Sequence, residues 1–240
     1  MTPFRTQVER DIIVSNLKDP YVVEKVLTSD DINELIQVYK TKNNKIYKNT
    51  GPVTSDITKD VAHIPAMKKI FDRLKQEVGE CEIYTAFYFY VDFPHIIHND
   101  DDKQGPVVYK AATIPLDIEY YENGQGYPSL CFFDQYYLEG PSKFFGGAKK
   151  EIPTFYNTQV YEYSQVQNKQ FEKIPSEIYN SYLTHLQPQW LTGLTFKSAL
   201  EWRPGNMLVF DCVRLHCASD FRRIGVKSKL GISMFTYLPR

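Results

Sequence analysis

The 240 residues predict a mainly β domain with flanking helices, and three observations carry that prediction. Aromatic residues make up 15% of the chain, with 18 Tyr and 15 Phe, and both types favour strands. From Glu82 onward, strand-like runs are separated by turn signals at Asn123-Gly124, Gly126-Tyr127-Pro128, Gly146-Gly147 and Pro204-Gly205. Before that point the apolar residues recur at helical spacing instead. Many strands behind a helical front end suggest a double-sheet jelly roll buttressed by helices. With 42% hydrophobic residues and no repeat or composition break, residues 1–240 suit a single domain. It divides into a helical buttress to about residue 80, a core over 82–238 and an insertion near 139–188.

Taken in order, residues 1–27 read as irregular chain with a short strand at Asp11–Val14. A helix starts at Leu27-Thr28-Ser29-Asp30-Asp31. Thr28 or Ser29 caps it, and Asp30, Asp31 and Glu34 suit the positive end of the helix dipole. Ile32, Leu35, Ile36 and Tyr39 follow at helical spacing. A second helix begins near Pro65 and carries one apolar stripe, Met67, Ile70, Phe71, Leu74 and Val78, which packs on a sheet. Strands are predicted at Ile83–Asp92, Ala111–Tyr120, Ser129–Tyr137, Thr154–Tyr163, Leu194–Trp202, Met207–Asp211 and Leu230–Leu238. One helix interrupts them, starting at Pro175-Ser176-Glu177 and carrying Ile178, Tyr182 and Leu186.

Net charge is −1, so no global field draws the chain to nucleic acid or an anionic membrane. The basic stretches near Lys40–Lys48 and Arg222–Lys229 are short and mixed. None of the four cysteines forms a C-x-x-C pair, and Cys131 and Cys212 sit inside apolar runs where a free thiol acts as a small hydrophobe. Met1–Arg10 has no apolar signal core, and no apolar run approaches membrane-spanning length. The expectation is a reduced, cytoplasmic, soluble protein.

The chemistry-bearing residues lie in three places. His98 and Asp100 are two apart, so in extended chain both point to one side. Asp101 faces away in such a chain, and Asp102 lies one pair further on. His95 competes as the first ligand, but Pro94 and the β pattern argue against the helix that a His95/His98 pair requires. His216 follows Pro204-Gly205 and the apolar run Met207–Asp211, which sets it at the mouth of a barrel after a short polar segment. Two imidazoles and one carboxylate on β-structure are the ligand set that holds non-haem Fe(II) while leaving positions open. His63 and His185 have no carboxylate at ligand spacing and read as surface or interface histidines.

The third place is the last strand. Counting by twos, Lys229, Gly231, Ser233, Phe235 and Tyr237 share one face, and Leu230, Ile232, Met234, Thr236 and Leu238 the other. A cation, two small residues and two aromatics leave a hole with a positive charge in it. A buried lysine is costly unless paired, so an anionic ligand gives it a reason to be there. Lys227 keeps the same parity and is the next choice, ahead of Arg222 and Arg223.

The order H-x-D, a long spacer, P-G-x-x-x-V-F, His, then a basic residue opening a final strand resembles the 2-oxoglutarate/Fe(II)-dependent oxygenase superfamily. Its prolyl 4-hydroxylase-like and phytanoyl-type branches are the most similar. The stretch Val26–Ile36 also resembles the start of prolyl hydroxylase-type domains. The likeness covers about residues 22–238 and implies a double-stranded β-helix. It further implies that His98, Asp100 and His216 bind Fe(II), and that Lys229, where the family usually has arginine, grips the distal carboxylate of 2-oxoglutarate. Lysine is a point charge without the fork of arginine. Many members have serine two residues further on, where this chain has Gly231, and Ser233 is the nearby substitute. Tyr88, ten residues before His98, resembles a co-substrate-binding tyrosine of prolyl hydroxylases. The implied activity is hydroxylation of a C–H bond with release of succinate and CO2, with ascorbate as reductant. The prime substrate is a small molecule or a protein side chain; nucleic acid is disfavoured. Two other readings remain at this level: a non-oxidative, cupin-like metal enzyme that has no need of Lys229, and a non-catalytic jelly-roll binding protein.

Overall fold

Local capping sets the helical layer. The structure, a computed structural model, describes residues 6–42, 53–101, 108–138 and 173–238. Helix α1 spans Gln7–Ser15, strand β1 Tyr21–Val23 and helix α2 Ser29–Thr41. Thr28 caps α2: its hydroxyl accepts from the Asp31 N–H at 3.3 Å, and the Asp31 carboxylate accepts from the Thr28 N–H at 2.7 Å. Strand β2 (Val53–Asp56) leads to helix α3, Pro65–Val78, with its proline in the first turn. The helix ends at Gly79, whose φ of 88° suits a residue without a Cβ.

The strands follow: β3 Glu82–Val91, β4 Val108–Tyr120, β5 Ser129–Tyr136, β6 Phe196–Glu201, β7 Met207–Asp211, β8 Arg214–Ala218 and β9 Val226–Tyr237. They form two antiparallel sheets, a larger one in the order β1-β7-β4-β9-β3-β2 and a smaller one in the order β6-β5-β8. On the larger sheet's outer face, Ala86, Tyr88, Ile114, Ile232 and Met234 pack against Leu35 of α2 and Met67, Ile70 and Leu74 of α3. Each such large apolar side chain contributes roughly 1.5–3 kcal/mol on burial. Between the sheets lie Leu130, Phe132, Trp202, Leu208 and Phe210. Behind the smaller sheet, Phe133, Leu215 and Cys217 are covered by Leu183, Leu186, Trp190 and Leu191. All four cysteines are free and buried.

Several expectations need correction. The strand expected at Asp11–Val14 is part of α1. A Thr6/Glu9 capping box starts that helix, and only Ile13 of the apolar run is buried, beside Leu138 and Val213. Helical spacing puts Ile12 and Val14 in solvent. The last strand begins at Val226 rather than Leu230. His216 sits within a strand of its own, β8, where the sequence predicts a short polar segment leading up to it. The polar break was Arg214, whose guanidinium is buried and donates to the carbonyls of Phe133 and Lys18. The helix expected from Pro175 is a single α-turn, Ser176–Ile178, passing into a π-type turn over Tyr179–Leu183. The strand expected at Thr154–Tyr163, and residues 139–172 of the insertion, lie outside the described residues. No helix among the described residues is long and apolar enough to cross a membrane.

Candidate active site

The short segment after β3 is tied to β8 by main-chain bonds. His98 and His216 form an antiparallel bridge, and the Asp100 N–H donates to the Cys212 carbonyl at 2.8 Å. The Asn99 side chain turns away and donates to the Tyr137 carbonyl. This alternation leaves His98 and Asp100 on one side, as the two-residue spacing predicts.

The donor atoms of His98, Asp100 and His216 all lie within 4.8 Å of one another. His98 Nε2 is 3.6 Å from Asp100 Oδ1, and His216 Nε2 is 3.4 Å from Asp100 Oδ2. The far side of each ring fixes its tautomer. His98 Nδ1 stands 2.7 Å from the Ile96 carbonyl oxygen, and His216 Nδ1 3.0 Å from that of Arg214. A carbonyl only accepts, so each Nδ1 carries the hydrogen and, in the neutral ring, each Nε2 presents its lone pair. Burial, then the neighbouring His216 and His95, pushes the His98 pKa well below its ordinary value, which favours the neutral ligand form. Burial works to raise the Asp100 carboxyl, but His216 and His98 outweigh it and hold that group below its usual value. Two lone pairs converging on an ionised carboxylate fit a divalent metal, and backbone carbonyls orient both imidazoles as metal-binding histidines require.

These residues line a cavity of about 190 Å³ between the sheets. Its opposite wall is β9, which supplies Lys229, Ser233 and Phe235. The parity read from the sequence holds here, since Leu230, Ile232 and Met234 pack on the helical side. Lys229 is 5% exposed, and burial lowers its pKa to about 8. Its ammonium lies over the rings of Trp202 at 4.8 Å and Phe221 at 5.2 Å. Among the described residues it has no carboxylate partner. Lys227 is exposed and paired with Glu119 at 2.6 Å, while Arg222 is exposed and donates to the Asp92 carbonyl. Neither belongs to the cavity.

Tyr88 does not line the cavity, which corrects its expected co-substrate role. It occupies the helical face of β3, and its hydroxyl donates to the Leu35 carbonyl at 2.9 Å. The neighbours of opposite parity, Phe87, Phe89 and Val91, face the cavity instead. His95 does line it, with Nδ1 3.3 Å from His98 Nε2. Its place comes from an irregular turn rather than the helix that Pro94 forbids. Trp202, Leu130 and Thr113 are further lining residues that sequence patterning did not single out. Thr113 stands opposite Ser233 in the β4–β9 register, a pairing only the fold reveals. Of the other histidines, His63 is exposed; His185 is largely buried, and burial lowers its pKa to about 4.

No protein-family model and no curated protein matches the sequence. Solved structures do match. The non-haem α-ketoglutarate-dependent carbocyclase SnoK from nogalamycin biosynthesis aligns with 99% of this chain and 86% of its own, at 10% identity and a TM-score of 0.51. The epimerase SnoN, solved with Fe3+, α-ketoglutarate and nogalamycin RO, aligns with 98% of this chain and 88% of its own, at 11% identity and a TM-score of 0.51. At such identity the likeness is one of fold, and that fold is the double-stranded β-helix.

Proposed function

We propose that this chain is an Fe(II)- and 2-oxoglutarate-dependent oxygenase that hydroxylates a C–H bond of its prime substrate. The observation that carries the reading is one cavity with a His-Asp-His donor set on one wall and, on the other, a buried lysine whose ammonium has no carboxylate partner among the described residues. A metal alone needs no such cation, and a cation alone needs no such donors. At about 190 Å³ the cavity is smaller than the roughly 300–1,000 Å³ of pockets for drug-sized ligands, which suits a small acid.

In this reading His98, Asp100 and His216 hold the metal, and Lys229 holds the distal carboxylate of 2-oxoglutarate. Fe(II) bound there supplies a redox centre with positions open to the 2-oxo acid and dioxygen. Dioxygen gives one oxygen atom to succinate, formed with CO2 from 2-oxoglutarate, and the other to the C–H bond. The Ile96 and Arg214 carbonyls keep both imidazoles in their ligand tautomer, and Phe89, Leu130 and Phe235 keep the cavity apolar. The prime substrate is a small molecule or a protein side chain, and a net charge of −1 disfavours nucleic acid. The testing experiment measures succinate formed from 2-oxoglutarate with Fe(II) and ascorbate, beside a His98→Ala/Asp100→Ala control. Turnover that vanishes in the control supports the reading. Absent turnover, together with absent Fe(II)-dependent 2-oxoglutarate binding, overturns it.

A further inference from the structure

Two hydrogen-bond donors border this cavity without a hydrogen-bond partner among the described residues. One is the Lys229 ammonium, which lies over the faces of Trp202 and Phe221 with the Cys131 and Cys217 thiols nearby. The other is Trp202 itself, 1% exposed, whose Nε1 has no acceptor among the described residues. Buried polar groups in native proteins are paired in the large majority of cases, so an orphan indole N–H beside an ammonium with no carboxylate partner among the described residues calls for a ligand rich in acceptors.

The backbone beneath the indole is shaped to admit it. A Cβ at Gly231 would stand 2.7 Å from Trp202 Cζ2, 2.8 Å from Phe89 Cζ and 3.0 Å from the Ile114 carbonyl oxygen. Gly231 lies two residues from Lys229 on the same strand face, so the indole fills the space a side chain there would take, beside the ammonium. Ring, bare glycine and cation form one packed unit.

We propose that Trp202 is a second anchor for the carboxylate that Lys229 holds: its ring face seats the ammonium, and its Nε1–H donates to that carboxylate. This rests on the 2-oxoglutarate reading above and adds a residue to it. An ammonium is a compact charge on a flexible stem. Fixing it over an aromatic face and adding an in-plane donor restores direction to the grip. The site therefore selects a 2-oxo dicarboxylate over a 2-oxo monocarboxylate through Trp202 as well as through Lys229.

The chain has two tryptophans, and the other, Trp190, packs behind the smaller sheet. Indole N–H resonances of the 15N-labelled, Zn(II)-loaded protein, assigned with Trp190→Phe, are followed while 2-oxoglutarate is added. The Trp202 signal moves downfield and the Trp190 signal stays. In parallel, calorimetry on the Zn(II)-loaded protein compares wild type with Trp202→Phe, which keeps a ring face and removes the N–H. Loss of a hydrogen bond to a charged group weakens 2-oxoglutarate about tenfold or more and leaves 2-oxobutyrate unchanged. Binding of 2-oxoglutarate with the Trp202 signal unmoved, or with equal affinity in Trp202→Phe, overturns this role and leaves the oxygenase reading standing. A wild type that binds no 2-oxoglutarate removes both. The resonance decides even where the variant folds poorly.

Discussion

The main chains of His98 and His216 exchange both of their hydrogen bonds, each at 2.9 Å. Residues 118 positions apart are thereby locked in a narrow antiparallel pair, with ring centroids 4.2 Å apart. The donor set is thus fixed by backbone pairing, before any metal supplies cohesion.

Because the pair is preformed, metal should stabilise the fold rather than create it. At a free metal concentration of about 100 Kd, binding to the native state adds about 2.7 kcal/mol, which raises Tm by roughly 5–10 °C in a domain of this size. His216→Ala and Asp100→Ala should abolish that rise, and chelator should reverse it in wild type. Scanning calorimetry with and without metal checks this. Equal metal-induced shifts in wild type and Asp100→Ala would remove Asp100 from the donor set.

Lys229 gives the site a pH dependence of definite sign. Burial lowers its pKa from 10.5 to about 8, so the free protein loses the cation as pH rises through about 8. A bound dicarboxylate favours the charged form. Affinity for 2-oxoglutarate should therefore be full below about pH 8, fall above it, and be accompanied by proton uptake in the window that opens at about pH 8. Titrations in buffers of different ionisation enthalpy read that uptake directly. The same shift means the unliganded fold holds fewer protons than the unfolded chain, so this group's contribution to stability rises with pH over that window. Lys229→Met should abolish the proton uptake and most of the affinity. A variant that kept metal, 2-oxoglutarate binding and activity would favour a metal enzyme that does not use the cation.

Tyr88 separates the fold from the family likeness. Its hydroxyl serves the Leu35 carbonyl on the helical side of the sheet. Tyr88→Phe should cost about 1 kcal/mol, or roughly 2–4 °C in Tm, and leave 2-oxoglutarate affinity unchanged. A variant with intact Tm and weakened co-substrate binding would reverse that assignment.

What the sequence could and could not disclose follows from where its patterns are one-sided. The last strand has an apolar face and a mixed face, so parity alone set Lys229 and Ser233 together. Strand Met207–Asp211 and the start of α2 were likewise legible, because a Gly turn and a Thr-Ser pair followed by acidic residues are local signals, although they leave Thr28 and Ser29 as alternative caps. Strand β3 is aromatic on both faces, which erases the period-two signal, and nothing in Ile83-Tyr84-Thr85-Ala86-Phe87-Tyr88-Phe89 says which set meets the helices. Strand β8 was hidden because Arg214 reads as polar while its buried guanidinium donates to carbonyls of two distant segments, Phe133 and Lys18. His95 and Trp202 join the site through tertiary packing, which no local window contains.

Gly231 tests whether the packed unit beside the cation is required. The three heavy atoms nearest a new methyl there belong to an indole edge, a phenyl edge and a main-chain carbonyl, at 2.7, 2.8 and 3.0 Å. The carbonyl belongs to β4, hydrogen-bonded along β9, and cannot retreat without disturbing the ladder. The rings must move instead. Gly231→Ala should therefore destabilise the fold by about 1–3 kcal/mol, as overpacking does in a tight core. It should also weaken 2-oxoglutarate, because Trp202 is displaced from the Lys229 ammonium. Pairing it with Trp202→Phe discriminates packing from recognition. If the indole is the shared target, the two losses in affinity are strongly non-additive in the double variant. Additive losses would mean that Gly231 acts on the strand alone, through the backbone that carries Lys229.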